Sequence, residues 1–345
     1  MFNKDYNFFI KLLHYAVISN KIVPELLFDI ENILFRKKNK LVKVKHHVYV
    51  TGLARAGTTV LLRAIYSSNK FASFTYRDMP FVVSPNLWNY MSKYLKSKEK
   101  IERKHNDNIL IDLDSPEQFE EIFWSLKTSE KYNFKNYLKS YDVDKYNLDL
   151  YEIFIRNCLL KYNKQSYLCK NNNSLLRIKS LGKKFTNAKF LILFRNPLDH
   201  CISLNKQHAN FSSLQKKDKF IKTYMNGLVH HEFGLNQKPM FFNSEIQSND
   251  SKDNVNYWLD QWINFYNFAL KEKLKDNKNI MFVDYKNLCT KTELELQKIS
   301  NFIGDNVFDN LKEKPFFHKT YDSKIFNFNK FKIKKSLEIY EDLKI

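Results

Sequence analysis

Cysteine is scarce in this sequence: Cys158, Cys169, Cys201 and Cys289 are all there is in a chain of 345 residues. No two stand in C-x-x-C spacing, which excludes a zinc cage and a disulfide framework. The thiols read as reduced, mostly buried groups of an intracellular protein. Long hydrophobic runs are missing too. The N-terminal stretch FFIKLLHYAVISNKIVPELL is interrupted by Lys11, His14 and Lys21, and no apolar run reaches the roughly 18 residues a membrane span needs. No small-residue cleavage site follows a clean apolar stretch, so no secretory leader is expected. Together these absences predict a cytoplasmic protein without a transmembrane segment. Its N-terminal amphipathic helix should pack on the domain, or else touch a membrane peripherally. Internal repeats are absent as well, and no convincing domain boundary stands out. One domain is expected over 1–345, with a helical segment at 1–45, a core at 46–304 and a tail at 305–345.

Acidic residues are outnumbered, 37 against 57 Lys and Arg, for a formal net charge of +20. Such a balance implies an anionic partner: nucleic acid, a membrane surface or a polyanionic small molecule. Much of the excess is Lys scattered among Asn, Ile and Phe, a pattern that codon bias produces as readily as selection for charge. The hydrophobic share of 43% and aromatic share of 16% are those of a globular chain with a sizeable core.

Glycine is also sparse, six in all, yet Gly52 and Gly57 stand five apart in TGLARAGTTVLL. The run HHVYVTG before them reads as a buried strand, and GTTVLLRAIYSSN after them opens a helix. A glycine loop between strand and helix is an anion site, because the helix N-terminal amides and dipole favour negative charge. The loop of ATP- and GTP-hydrolysing proteins reads G-x-x-x-x-G-K-[ST], with Lys on the β/γ-phosphates and Ser or Thr on Mg²⁺. Here Thr58 replaces that Lys, Thr59 follows, and the basic residue is Arg55, inside the loop.

Further strands are expected at FASFTY, SYLCK, AKFLILFR and NIMFVDY. Helices are expected over 5–37, over most of 84–163, and at SLLRIKSLGKKF, NPLDHCISLNKQH and VNYWLDQWINFYNFAL. The Lys-rich stretch 93–104 reads as a solvated face and 232–256 as a long loop. The alternation predicts an α/β fold with a parallel sheet, whose ligands bind outside the carboxyl ends of the strands. Those ends carry Arg55, Ala56, Gly57, Thr58 and Thr59, then Asp78, Lys170, Arg195 with Ser203 two turns into the next helix, and Tyr285. Three cations and a helix N-terminus converging there suit a ligand with several negative charges.

RAGTT, and Arg195 paired with Ser203 in RNPLDHCIS, resemble the sulfotransferases that use 3′-phosphoadenosine 5′-phosphosulfate (PAPS). The longer run LCKNNNSLLRIKSLGKKFTNAKFLILFRNPLDHCISL looks like their carbohydrate and tyrosylprotein branches. The resemblance spans roughly residues 47 to 300. It implies a P-loop-like parallel sheet flanked by helices, with helical insertions, and a loop over 55–59 that cradles the 5′-phosphosulfate. It further implies a 3′-phosphate site at Arg195 and Ser203 and a catalytic Lys at Lys170. The cytosolic branch often has Trp after the Thr pair, where this chain has Val60, and its C-terminal R-K-G signature is absent. Tyr285 is then the candidate adenine contact, with Lys319 as a further nucleotide contact. Related enzymes place their base two residues before a Pro, a position that falls on Asp78 before Pro80.

In that reading Asp78 takes the acceptor proton, while Arg55 and Lys170 stabilise the departing adenosine 3′,5′-bisphosphate (PAP). No metal is required, and the acceptor is a hydroxyl compound, by resemblance a carbohydrate. His200, His208, His230 and His231 are assigned core or surface places. Two alternatives are a P-loop kinase, which would lack its Lys and leave Arg195 and Ser203 without work, and a nucleic-acid-binding basic protein. The second would lack a recognition module and a basic stripe with interleaved aromatics, so no nucleic-acid partner is expected.

Overall fold

The computed structural model describes residues 13–17, 20–96, 99–103, 105, 107–242, 248–309, 311, 316–317 and 319–344. Nine strands occur among them: β1 (His46–Thr51), β2 (Phe71–Ala72), β3 (Ile101–Glu102), β4 (Leu110–Ile111), β5 (Leu138–Lys139), β6 (Ser166–Lys170), β7 (Lys189–Phe194), β8 (Met240–Phe241) and β9 (Ile280–Asp284). Five form one parallel sheet in the order β2-β6-β1-β7-β9. β7 is LILF-centred and buried along Phe190–Phe194, as a strand covered on both faces must be. β1 lies at the centre of the sheet, so the loop that leaves it opens at the crevice between β6 and β7, where strand order reverses.

Each face has its own apolar layer. On one side Val48, Val50, Leu191, Leu193 and Val283 pack with Leu61, Leu62 and Ile65 of the helix Thr58–Tyr66. On the other, Tyr49, Tyr167, Phe190 and Ile192 meet a larger cluster that includes Phe123, Trp124, Tyr151 and Phe154. Tyr49 stacks on Phe190 at 4.9 Å and Phe74 on Phe154 at 4.6 Å, so the abundant aromatics are spent mainly in this layer.

Several expected elements are shorter or differently placed. FASFTY contributes only Phe71–Ala72, because Thr75 turns the chain into a 3₁₀ helix at Tyr76–Asp78. The stretch 84–163 does contain helices at Pro85–Ser92, Glu121–Tyr132 and Lys145–Tyr162, but β3 and β4 pair as an antiparallel ribbon between the first two. The loop at 232–256 includes β8, which pairs with β5; residues 243–247 lie outside the described residues. A helix runs over Ile22–Leu41 and residues 13–17 are helical as well, while of the expected 5–37 helix residues 5–12, 18 and 19 lie outside the described residues. In the tail, the helix Lys330–Lys344 packs on the aromatic helix Val255–Lys271.

Candidate active site

The loop after β1 is built by backbone demands. Gly52 has φ +144°, and a Cβ there would stand 2.5 Å from the Leu193 carbonyl oxygen of β7. Gly57 has φ +99°, and a Cβ there would stand 2.3 Å from the Tyr285 ring. Between them Arg55 is itself left-handed at φ 72°, a conformation uncommon outside glycine. The turn delivers Gly57 as the N-cap of the helix Thr58–Tyr66, with no side chain capping it. The first-turn amides are thus left for an anion.

A cavity of about 930 Å³ opens over this loop. Arg55, Gly57, Thr58 and Thr59 form its floor, joined by Lys170 from the end of β6 and by Arg195, Ser203 and Tyr285. The structure thereby brings together these eight sequence-expected residues. Ala56 belongs to the loop but is fully buried beneath it. Lys319 also lines the cavity, and its carbonyl accepts a hydrogen bond from the Arg195 guanidinium.

The charges are arranged unequally. Arg195 is only 6% exposed, and its Nε has no hydrogen-bond partner among the described residues. Burial pulls its pKa down, against the opposing charge of Asp199. Arg55 donates through Nη1 to Asp107 at 2.7 Å and through Nε to Ser203 Oγ at 3.4 Å. Asp107 is shared with Arg103 at 2.6 Å; Arg103 in turn reaches Glu117 at 2.9 Å, and Lys170 pairs with the same Glu117 at 3.2 Å. Burial alone would raise the Glu117 pKa, but Lys170 and Arg103 hold it well below the usual carboxylate range. Glu117 therefore stays ionised at the cavity wall, one hydrogen bond from Lys170.

Asp78 is the exception, and its position corrects the expectation that it faces the cavity. Its side chain has no exposure and is paired with Lys161 at 2.5 Å. It also accepts from the Tyr162 hydroxyl at 2.6 Å and from the Thr75 amide at 2.8 Å. It closes the capping box of the 3₁₀ turn with Thr75, and is absent from the cavity lining. Arg77 is likewise occupied elsewhere, clamping Asp114 and the carbonyls of Ser92 and Leu95.

Sequence reasoning missed Arg103, Asp107 and Glu117. Arg103 lies in the Lys-rich stretch expected to be a solvated face, yet it is 7% exposed, because the β3–β4 ribbon folds it back over the loop. Among the histidines, His200 is fully buried with Nε2 2.7 Å from the Ala54 carbonyl, whereas His230 does line the cavity. Phe317 and Tyr321 add aromatic wall beside Tyr285, in a tail segment that carried no periodic signal.

A family model described as the sulfotransferase family matches residues 47–237, more than half of the chain and all of the loop, Lys170, Arg195 and Ser203. The chain belongs to the sulfotransferase family. Solved structures agree in fold. The sulfotransferase STF9 from Mycobacterium avium superposes with a TM-score of 0.56 at 11% identity, covering 99% of this chain and 87% of that one. The sulfotransferase STF1 from Mycobacterium tuberculosis gives 0.53 at 12% identity, covering 94% and 84%. At such identity the likeness is one of fold. No curated protein sequence matches the chain. In this sulfotransferase no described helix is long and apolar enough to cross a membrane, and the described residues hold no cluster of ligands suited to a metal.

Proposed function

We propose that this sulfotransferase moves the sulfuryl group of PAPS to an acceptor hydroxyl, leaving PAP. The observation that carries the reading is Arg195: a buried guanidinium whose Nε has no hydrogen-bond partner among the described residues, at the same cavity as an uncapped helix N-terminus. A ligand with phosphate at both ends satisfies both at once. Arg195 and Ser203 would hold the 3′-phosphate, and the amides of residues 55–59 the 5′-phosphosulfate. Tyr285, Phe317 and Tyr321 offer faces for adenine. A kinase reading is not favoured by the family match and lacks the loop lysine.

The acceptor oxygen attacks sulfur as the bond from sulfur to the 5′-phosphate oxygen breaks. The electron pair of that bond stays on the phosphate, and the hydroxyl proton goes to a base. Arg55 and Lys170 stabilise the charge that gathers on the leaving oxygen. Glu117 is the proton acceptor in this scheme, since it is ionised, lines the cavity and touches Lys170. When Lys170 turns to the donor, Glu117 loses the charge that lowers its pKa most, and Oε1, which keeps the Gln118 amide at 3.0 Å, gains a place for the hydroxyl. Asp78, expected for that role from its place before Pro80, acts as a structural anchor in this reading. A carbohydrate hydroxyl is one member of the acceptor class, and no observation of the site favours it over another alcohol. Direct transfer needs no divalent ion, so activity should persist in EDTA.

The test is calorimetry with PAP in competition with ATP, beside transfer of labelled sulfate from PAPS. Tight PAP binding that ATP does not displace, with label moved to an alcohol, supports the reading; equal binding of ATP would move it toward a kinase.

A further inference from the structure

The helix Ile22–Leu41 turns its large aliphatic side chains outward. Its buried residues are Pro24, Phe28, Glu31 and Asn39. Glu31 accepts from the backbone amides of Asn86 and Leu87, both at 2.9 Å, and from Asn86 Nδ2 at 2.7 Å. Asn39 Nδ2 donates to Asn157 Oδ1 at 2.7 Å and to the Ile153 carbonyl at 3.1 Å. Phe28 and these polar contacts thus dock the helix on the domain. Ile22, Leu26, Ile33, Leu34 and Leu41 are by contrast 58–80% exposed. At about 100° per residue these five fall within one arc of about 120°. A surface helix ordinarily turns such a stripe toward the core, and a contiguous exposed one marks an interaction site.

The charge around the stripe selects what covers it. Lys37 and Lys40 fall in the same arc, Arg36 and Lys38 stand at its two edges, and Lys43 follows the helix; all five are exposed. No Asp or Glu occurs in the sequence between Glu31 and Asp78, and both of those are buried. Of the other acids on the helix, Glu25 pairs with Lys127 at 2.8 Å and Asp29 borders the arc in its first half. A second copy of this chain would bring another +20 against these cations and be repelled. An anionic lipid surface attracts them and offers hydrocarbon to the aliphatic stripe. Because no described helix is long and apolar enough to cross a membrane, this one would lie in the plane of the surface.

We propose that the helix Ile22–Leu41 binds an anionic lipid surface. Its aliphatic stripe sits at the boundary of headgroups and acyl chains, and Arg36, Lys37, Lys38, Lys40 and Lys43 lie against the headgroups. Phe28, Glu31 and Asn39 on the inner face keep the domain attached to the bound helix. The contact does not depend on which donor or acceptor the cavity takes.

Flotation of the full chain with lipid vesicles is the test. The protein should float with phosphatidylcholine vesicles that contain phosphatidylserine and stay behind with phosphatidylcholine alone, and added salt should weaken the binding. Each cation near such a surface contributes about fivefold. Lys37→Gln, Lys38→Gln and Lys40→Gln together should therefore weaken vesicle affinity about a hundredfold. The same change at Lys271, Lys278 and Lys291, exposed elsewhere, should leave it within about twofold, because distant charges are screened. Ile33→Ser should weaken binding about tenfold, from the apolar area no longer buried, and Ile33→Leu should keep it. All four variants should match the parent in urea midpoint, since every changed side chain is exposed. Equal losses in the two triple variants would show attraction of bulk charge, and binding unmoved by Ile33→Ser would show a stripe that is not seated; either result overturns the proposal. Failure to float also overturns it. In that case a dimer in ultracentrifugation that Ile33→Ser dissolves would give the stripe to a second copy.

Discussion

Replacing Arg195 by Ala should separate ligand affinity from fold stability. Arg195 is 6% exposed, donates to the Lys319 carbonyl, has an Nε without a partner among the described residues, and burial lowers its pKa. Its charge is thus an unfavourable tenant of the empty protein, and a strong point of attachment for a phosphate. A hydrogen bond to a charged group contributes about 1.5–3 kcal/mol, so PAP should bind about 10- to 150-fold more weakly in Arg195→Ala. The unliganded protein loses the bond to Lys319 but also sheds the desolvated charge. Its melting temperature should stay within a few degrees of the parent, because the two changes offset. Calorimetry with PAP and thermal unfolding without it read the two quantities. Ser203→Ala, which removes a single hydroxyl that Arg55 reaches at 3.4 Å, should likewise cost about 1.5–3 kcal/mol of affinity if that hydroxyl bonds the phosphate. PAP affinity within twofold of the parent in Arg195→Ala would refute the assignment of this guanidinium to the nucleotide.

Glu117→Gln should slow single-turnover transfer by about 10²–10⁴ with PAP affinity maintained, and an unchanged rate would remove Glu117 as the base. Gly57→Ala should lose PAP affinity, because the Cβ would stand 2.3 Å from the Tyr285 ring at a backbone φ of +99°; calorimetry reads this, and normal binding would show that the ring yields freely. Acid should weaken the fold between pH 6.5 and 4. Burial pushes His47 and His231 down to about 4 and His200 to about 3. The unfolded chain therefore takes up protons in that window while the folded one does not. Each such histidine removes about 1.4 kcal/mol per pH unit, and urea midpoints that stay flat from 6.5 to 4 would contradict their burial.

The loop was legible in the sequence because its signal is local: Gly52 and Gly57 are fixed by backbone geometry, and the proposed anion site needs only the amides that follow. Arg195 with Ser203 was legible for the same reason, as a strand end and the next helix set their separation. Arg103, Asp107 and Glu117 were not. Their pairing closes a ribbon over the loop across 14 residues between Arg103 and Glu117 and 53 between Glu117 and Lys170, and a basic stretch gives no sign that one of its cations is buried.

Asp78 shows how a position can match while its chemistry differs. Its distance from Pro80 suggested a base, but the shorter-range pattern Thr75-Tyr76-Arg77-Asp78 is a capping box, in which the acidic side chain turns back to the Thr75 amide. That geometry aims the carboxylate into the protein, where Lys161 and Tyr162 meet it. With side chains 0% and 3% exposed, the pair is one whose disruption leaves an uncompensated buried ammonium. Asp78→Asn should therefore destabilise the fold by about 3–5 kcal/mol, read as a drop in the urea midpoint. The remaining folded enzyme should bind PAP and transfer sulfate at the parent rate. A stable Asp78→Asn protein with single-turnover transfer cut a hundredfold or more would reverse this assignment, because only contact with the acceptor's proton gives loss of rate without loss of fold.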